Sequence, residues 1–437
     1  MKKILLRALL CLLILATLLG SVSCSGKGKT LLSLNEDGIE VTFSANEYQL
    51  MLSRYKATLA EVQNVNSDAF WSSWVNSTTT MDEHYRESIL NNCKTYLIAL
   101  YLFEAEGLSL TESELDEVDE IMNEFLLTDG DGSKAKLNSI LADYGVNYDI
   151  LKDVYLMQTK IEKLKTHLYG TDASGIVKAE KDKYMTENYV HYKQLFLPFT
   201  KYVYETDVNE DAIYYKPSTD DETVAGNRIC YDTVNGTASD KTDKNGDIIY
   251  YLEDGKTVAY DVTDGIRKKL VDEDGNYQTA DLTDDEKKAL KAEKNALFDE
   301  LKTATDQNFE AAIERVYKQK DLPADQNTDG YYIRRSEYSG TSSYLNDVIS
   351  ALDKMEDGDV DVIESDYGYF IIRKYKFTEK AYDLEANKNS WFANFNDLIV
   401  NKFFSELCQP YYDKIVVDEA VYADVPSMKD IKVNYFY

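Results

Sequence analysis

Histidine and cysteine are scarce in this chain of 437 residues, and that scarcity removes most of the chemistry it could carry. The three histidines, His84, His167 and His191, stand far apart, and no His, Cys or Asp spacing resembles a zinc site, so no metal is expected. A Gly-rich phosphate loop and a Gly-x-Ser-x-Gly elbow are both missing, which leaves nucleotide-dependent and serine-hydrolase chemistry without a motif. No cofactor is expected. Of the five cysteines, Cys11 and Cys24 fall in the N-terminal leader, so Cys93, Cys230 and Cys408 remain. That odd set has no close pair, so a disulfide framework is not expected. Buried free thiols are the expected state, with a Cys93–Cys408 bridge as the open alternative.

Positive charge is also short: 48 Lys and Arg stand against 78 Asp and Glu, a formal net charge of −30. That balance argues against nucleic acid as a partner. An acidic surface suits solubility in a polyanionic envelope and attracts basic or unfolded chains at long range. The stretches "DGDGS", "DKNGD" and "DEDGN" look like calcium loops, but their glycine comes too early for an EF-hand, which needs it at the sixth position. They are expected to be hairpin turns.

What is present starts with "MKKILLRALLCLLILATLLGSVSC". Lys2, Lys3 and Arg7 precede an apolar run that ends near Leu19 and is followed by small residues, the pattern of an export signal. The run is shorter than the roughly 20 residues of a membrane span. Residues 1–23 are expected to be a lipoprotein signal peptide and Cys24 the lipidation site, with Ser21 where that motif usually carries Leu. The chain is thereby placed at the outer face of the cytoplasmic membrane on a lipid anchor.

The length predicts two or three domains. After the tether "SGKGKT", a short strand leads to a helix that Ser44 or Asn46 caps. Ile89, Cys93, Leu97, Leu100 and Phe103 then recur at helical steps, and "TESELDEV" carries a capping signal. Near residue 189 the period changes to two in "YVHYKQLFLPFTKYVYE", a strand. Residues 206–285 are acidic and rich in Asp-Gly and Asn-Gly turns, which predicts a meander of hairpins. Helices, a loop "KQKDLPADQNTDGYY", a further helix and the strand "SDYGYFIIRKYKF" follow, and one long C-terminal helix is expected over "YDLEANKNSWFANFNDLIVNKFFSELC" up to Pro410. The fold class is α+β.

The order of these elements, together with "NFEAAIERVY", "DGYYI" and "MEDGDVDVIESDYGYFIIRK", resembles the parvulin family of peptidyl-prolyl isomerases. With "GLSLTESELDEV", "ADYGVNYDILKDVYLMQTKIEKL" and the leader, the chain is similar to PrsA- and SurA-type foldases. The resemblance implies a helical chaperone domain over 24–185, a parvulin-like domain over 186–378 interrupted by the 206–285 insertion, and a C-terminal segment 379–437 returning to the first domain. It also implies unfolded or partly folded exported polypeptides as partners, and leaves a homodimer open. Parvulins place two facing histidines and an acid or thiol around the X–Pro amide, beside an apolar cup for the proline ring. Here the first histidine position matches Gln194, in Gln194-Leu195-Phe196, and the second matches Phe370. Asp321 is the acidic candidate, and Tyr344 and Val348 are the candidates to line the cup. His191, three positions from Gln194, falls on the opposite strand face and is no substitute.

The expectation is an anchored extracytoplasmic foldase or chaperone with a degenerate isomerase site. The alternative is an active isomerase that uses Gln194, Asp321 and nearby tyrosines. A transporter's substrate-binding lipoprotein would need repeated strand–helix units, and the long helical first block speaks against it.

Overall fold

The computed structural model describes residues 28–63, 67–219, 224–322, 327, 329–338, 344–388 and 390–434. Cys24 and the leader lie outside the described residues. The described residues form two compact units, one from 28–181 with 394–434 and one from 182–393. Helix and strand are both present in quantity, in keeping with an α+β chain.

The first unit opens with a hairpin where the sequence suggested one strand. Strands β1 (Thr30–Glu36) and β2 (Ile39–Ser44) pair antiparallel around Asp37-Gly38. Both turn residues have positive φ, 50° and 82°, the geometry that lets a two-residue turn follow the twist of the strands. A short strand, Val416–Val417, adds to the other edge of β1. Ser44 caps helix α1 (Ala45–Gln63): Glu47 N donates to Ser44 Oγ at 3.2 Å, and Ser44 N donates back to the Glu47 carboxylate at 2.6 Å. After α2 (Asp68–Trp71), reciprocal Thr-x-x-Glu caps start α3 (Met81–Ala105) at Thr80 and Glu83, and α4 (Glu112–Thr128) at Thr111 and Glu114. Helices α5 (Lys134–Leu141) and α6 (Tyr148–Tyr169) complete the N-terminal part.

One hydrophobic core joins these elements. Ile89, Cys93 and Leu97 of α3 share it with Leu32, Phe43 and Leu151, and with Phe404 and Cys408 of the returning helix Phe395–Cys408. The segment beyond that helix is held by two cations, the buried Lys56 and the partly buried Arg86. Lys56 Nζ donates to the carbonyls of Met428 and Ile431, each at 2.6 Å, and Arg86 donates to Tyr422 O at 3.0 Å. Cys93, Cys230 and Cys408 are buried free thiols, and no Cys93–Cys408 bridge forms. No described helix is long and apolar enough to cross a membrane.

The long C-terminal helix expected from Tyr382 is interrupted. A short helix covers Glu385–Lys388, the main helix starts only at Phe395, and Pro410 sits inside a 3₁₀ turn, Gln409–Lys414. The break has a packing cause: Tyr382 and Phe392 are buried in the second unit, where Phe392 stands 4.9 Å from the Tyr189 ring. The boundary between units therefore falls after Ala393.

The second unit is built on a four-stranded antiparallel sheet. After α7 (Lys178–Asn188), β3 (Tyr189–Pro198) runs through the middle of it. The chain then leaves through β4 (Thr200–Tyr202) into the insertion and returns along β10 (Thr279–Asp281), which pairs with β4. Within the insertion lie β5 (Tyr214–Pro217), β6 (Ala225–Ile229), β7 (Thr237–Thr242), β8 (Ile248–Tyr251) and β9 (Ile266–Arg267). Helices α8 (Asp284–Leu301) and α9 (Asp306–Gln319) come next, then β11 (Tyr331–Arg334), α10 (Arg335–Tyr338), α11 (Tyr344–Leu352), β12 (Val360–Ser365) and β13 (Gly368–Lys374). The strand order is β11-β3-β13-β12. Leu195, Leu197, Tyr369 and Ile371 pack with Leu297 and Phe309 of α8 and α9, while the other face packs with Val348, Ile349 and Leu352 of α11.

The acidity of the insertion has a structural explanation. In each of six turns one carboxylate oxygen of an aspartate, at 207, 232, 243, 254, 261 and 272, accepts two backbone N–H groups from the two to four residues that follow. The second oxygen takes a side-chain donor in several, such as Tyr260 on Asp207 and Tyr231 on Asp243. Such bonds replace the ladder that strands this short cannot supply. The pattern Tyr-Asp-x-x-x-Gly at 231–236 recurs at 260–265, an interval of 260 − 231 = 29 residues, and the Asp243 and Asp272 turns repeat at the same interval.

Candidate functional site

Strand register decides which side chains of β3 and β13 meet. Gln194 lies opposite Ile372, and Phe196 opposite Phe370. Directly opposed residues of an antiparallel pair point to the same face, so Gln194, Phe196 and Phe370 share one face, the one that α11 covers.

On that face three rings lie nearly parallel. Phe370 is stacked on Phe196 at 4.5 Å between centroids and 20° between planes, and on Tyr344 at 4.6 Å and 9°. Phe370 is buried and Val348 is completely so. Tyr344, Val348 and Phe370 therefore form part of one packed core layer. Gln194 is 8% exposed, and its Oε1 has no hydrogen-bond partner among the described residues. An amide oxygen left so is costly, about 1–3 kcal/mol.

Beside this face a cleft of about 1060 Å³ opens between the sheet and the insertion. Its lining includes Gln194, Phe196, Tyr204, Arg267 and Leu322. Strand β11 pairs only with β3 residues 189–192, so the second half of β3 has an edge toward the cleft. There Phe196 N donates to the hydroxyl of Tyr317 at 3.1 Å.

Asp321 does not join Gln194 and Phe370. It follows α9 with φ at 54°, and its carboxylate accepts from Tyr204 OH at 2.6 Å and pairs with Lys269 at 3.0 Å. Lys269 also donates to the Asp321 carbonyl at 3.1 Å. Burial, then the bond to Asp321, pushes the Tyr204 phenol well above its ordinary value. The acid proposed for the amide site is thus committed to fastening the insertion.

No family model matches the chain, and no curated protein does. Among solved structures it is similar to PrsA from Bacillus subtilis at 13% identity, over 82% of this chain and 94% of that one, with a TM-score of 0.17. It is also similar to foldase protein PrsA from Streptococcus pneumoniae str. Canada MDR_19A, at 13% identity over 81% and 97% with a TM-score of 0.21. A third is foldase protein PrsA from Lactococcus lactis, at 14% identity over 91% and 98% with a TM-score of 0.19.

His191 lies on the opposite face of β3, as its odd spacing from Gln194 requires. It is buried, stacked on Tyr332 at 4.1 Å, with its ring nitrogens 2.6 Å from Lys376 O and 3.0 Å from Asp329 O. Burial lowers its pKa against the pull of those carbonyls. It holds two loops and has no path to the cleft face. Among the described residues no group of three His, Cys, Asp or Glu is placed to hold a metal ion.

Phe196, Tyr204 and Arg267 were not singled out from the sequence. Phe196 carried a signal, since it stands two residues from Gln194 on a strand of period two. Arg267 carried none, because only the folded insertion brings it over the Tyr204 ring, at 3.9 Å.

Proposed function

We propose that the protein is an extracytoplasmic chaperone, held at the outer face of the cytoplasmic membrane by lipid on Cys24. In this reading it binds exported polypeptides before they fold, and its parvulin-like sheet does not accelerate prolyl isomerisation. One observation carries the reading: Phe370 is wedged between Phe196 and Tyr344, so carbocyclic rings fill the place where polar groups would flank an X–Pro amide. The rotation barrier of about 18–20 kcal/mol comes from amide resonance. Each tenfold acceleration needs about 1.4 kcal/mol of extra stabilisation for the twisted amide. Gln194 can offer a single amide and cannot titrate, and Asp321 is occupied by Tyr204 and Lys269. What remains is a cleft suited to holding chain. The helical unit adds apolar side chains that are exposed, among them Trp74 and Leu127.

An isomerase acting through Gln194 is the competing reading, favoured by the unpartnered Gln194 Oε1 beside the cleft. Exchange spectroscopy on an X–Pro test peptide decides between them, run with the soluble chain that starts after Cys24. The expected result is no acceleration of cis–trans exchange, together with suppressed aggregation of an unfolded client. Strong acceleration that disappears in Gln194→Leu would establish the isomerase instead.

A further inference from the structure

Three cations line the cleft beside β3, Lys201, Arg267 and Lys320, on a chain whose formal charge is −30. Two of them are neutralised, Lys201 by Glu286 at 2.5 Å and Lys320 by Glu293 at 2.8 Å, and Lys269, over the ring of the lining residue Tyr202, is paired with Asp321 at 3.0 Å. Arg267 has no carboxylate partner among the described residues. Its guanidinium lies over the Tyr204 ring, 3.9 Å from the centroid. A guanidinium stacked in this way keeps its in-plane N–H groups free for a planar acceptor. One carboxylate in the lining, Glu210, sits exposed in a hairpin turn.

Gln194 supplies an independent observation. It is more than nine-tenths buried, lines the cleft and has an Oε1 without a partner among the described residues. An amide oxygen there lacks an N–H donor, and Arg267 lacks an anion. A small anion would answer Arg267 alone, and a neutral chain would answer Gln194 alone. An extended peptide with an acidic side chain answers both, and its apolar side chains meet Phe196, Tyr204 and Leu322.

We propose that the cleft takes an extended peptide segment in which an apolar or aromatic side chain stands next to an acidic one, whose carboxylate pairs with Arg267. This names the substrate class of the site described under the holding reading and rests on that reading. The selectivity belongs to the insertion, since β9 carries the arginine.

The test uses the soluble chain after Cys24 and three labelled peptides, identical except for Asp, Asn or Lys beside a Tyr-Leu pair, read by fluorescence anisotropy. The Asp peptide should bind about fivefold tighter than the Asn peptide, as expected for one partly exposed ion pair. The Lys peptide should bind weakest, and the Asp preference should shrink as salt rises. Arg267→Gln should remove the preference, so that this variant binds the Asp and Asn peptides equally. Arg267→Lys should keep part of the preference, which separates lost charge from a misfolded insertion. Equal binding of the Asp and Asn peptides by the unaltered protein overturns the inference, as does a preference that survives Arg267→Gln. Either result leaves the holding reading intact if the Asn peptide binds and client aggregation is suppressed. If none of the three peptides binds, the inference falls, and the aggregation assay tells whether the holding reading falls with it.

Discussion

Replacing Phe370 by alanine should unfold the second unit far more readily and leave the first untouched. The ring is buried and touches an aromatic partner on each side, at 4.5 and 4.6 Å between centroids. Truncating a buried Phe to Ala typically costs about 3–5 kcal/mol in lost transfer energy and residual cavity. Offset ring pairs add about 0.5–1.5 kcal/mol each beyond their area. The sheet on either side is hydrogen-bonded and cannot close around the gap, so the expected loss lies near the top of that range, about 4–5 kcal/mol. Phe370→Leu keeps most of the volume and loses both ring contacts, and should cost about 1–3 kcal/mol. Urea unfolding followed by fluorescence checks both numbers. Trp391 packs on the same core as Phe370 and stands 5.6 Å from Tyr331, while Trp71 and Trp74 belong to the first unit. With those two changed to Phe, Trp391 reports the second unit alone. A chain of two units need not unfold in one step, so the expected signature is a shift of the Trp391 transition, while in the complementary chain with Trp391→Phe the transition read by Trp71 and Trp74 stays in place. A loss below about 1 kcal/mol for Phe370→Ala would mean that the three rings do not hold this face together. The site would then have to be regarded as open, and the case against isomerase activity would lose its basis.

Two further predictions follow from other parts of the molecule. The turns of the insertion should be acid-labile: Asp254 is held down to about 2 by Thr257 and neighbouring backbone N–H groups, and Asp247 is lowered chiefly by Arg228. A carboxylate depressed in the folded state contributes stability that is present above its unfolded value near 4 and is lost as pH falls through the folded value. The contacts of these two aspartates should therefore weaken between about pH 4 and 2, read as a partial loss of the near-ultraviolet circular dichroism of the tyrosines, and an unchanged spectrum at pH 2 would refute the role given to them. Lys56→Met should loosen residues 422–434, because it strands the carbonyls of Met428 and Ile431 in a buried place. Each stranded group costs about 1–3 kcal/mol, and hydrogen exchange in that segment should rise by orders of magnitude while α5 and α6 stay protected.

What the sequence made legible was local. The Thr111 and Glu114 cap is a four-residue pattern whose chemistry is complete in itself. Period two was enough to separate His191 from Gln194, and the Asp-Gly spacing was enough to announce hairpins in the insertion. The Asp37-Gly38 hairpin carries the same Asp-Gly signal, where the sequence reading has one short strand. Register was not legible. Nothing in "QLFLP" or "YGYFII" says that Phe196 rather than Gln194 faces Phe370, and the difference turns a polar pocket into a ring stack. The setting of Asp321 was hidden for a related reason: its partners, Tyr204 and Lys269, are 117 and 52 residues upstream, across the insertion. The helical pattern after Tyr382 was real, yet which core Phe392 would enter depended on Tyr189, far away in the chain.

Lys56 and its carbonyl partners also set an order of events. The donor is made early, and Met428 comes 372 residues later. A chain that emerges from its N-terminus therefore exposes a lysine, and the apolar walls around it, for as long as the rest takes to appear. The sheet unit is continuous from 182 to 393 and can close before the last helix arrives. The helical unit is finished last, although it begins first. During that interval it is itself an incomplete polypeptide with apolar surface uncovered, the same condition that a chaperone relieves in its clients.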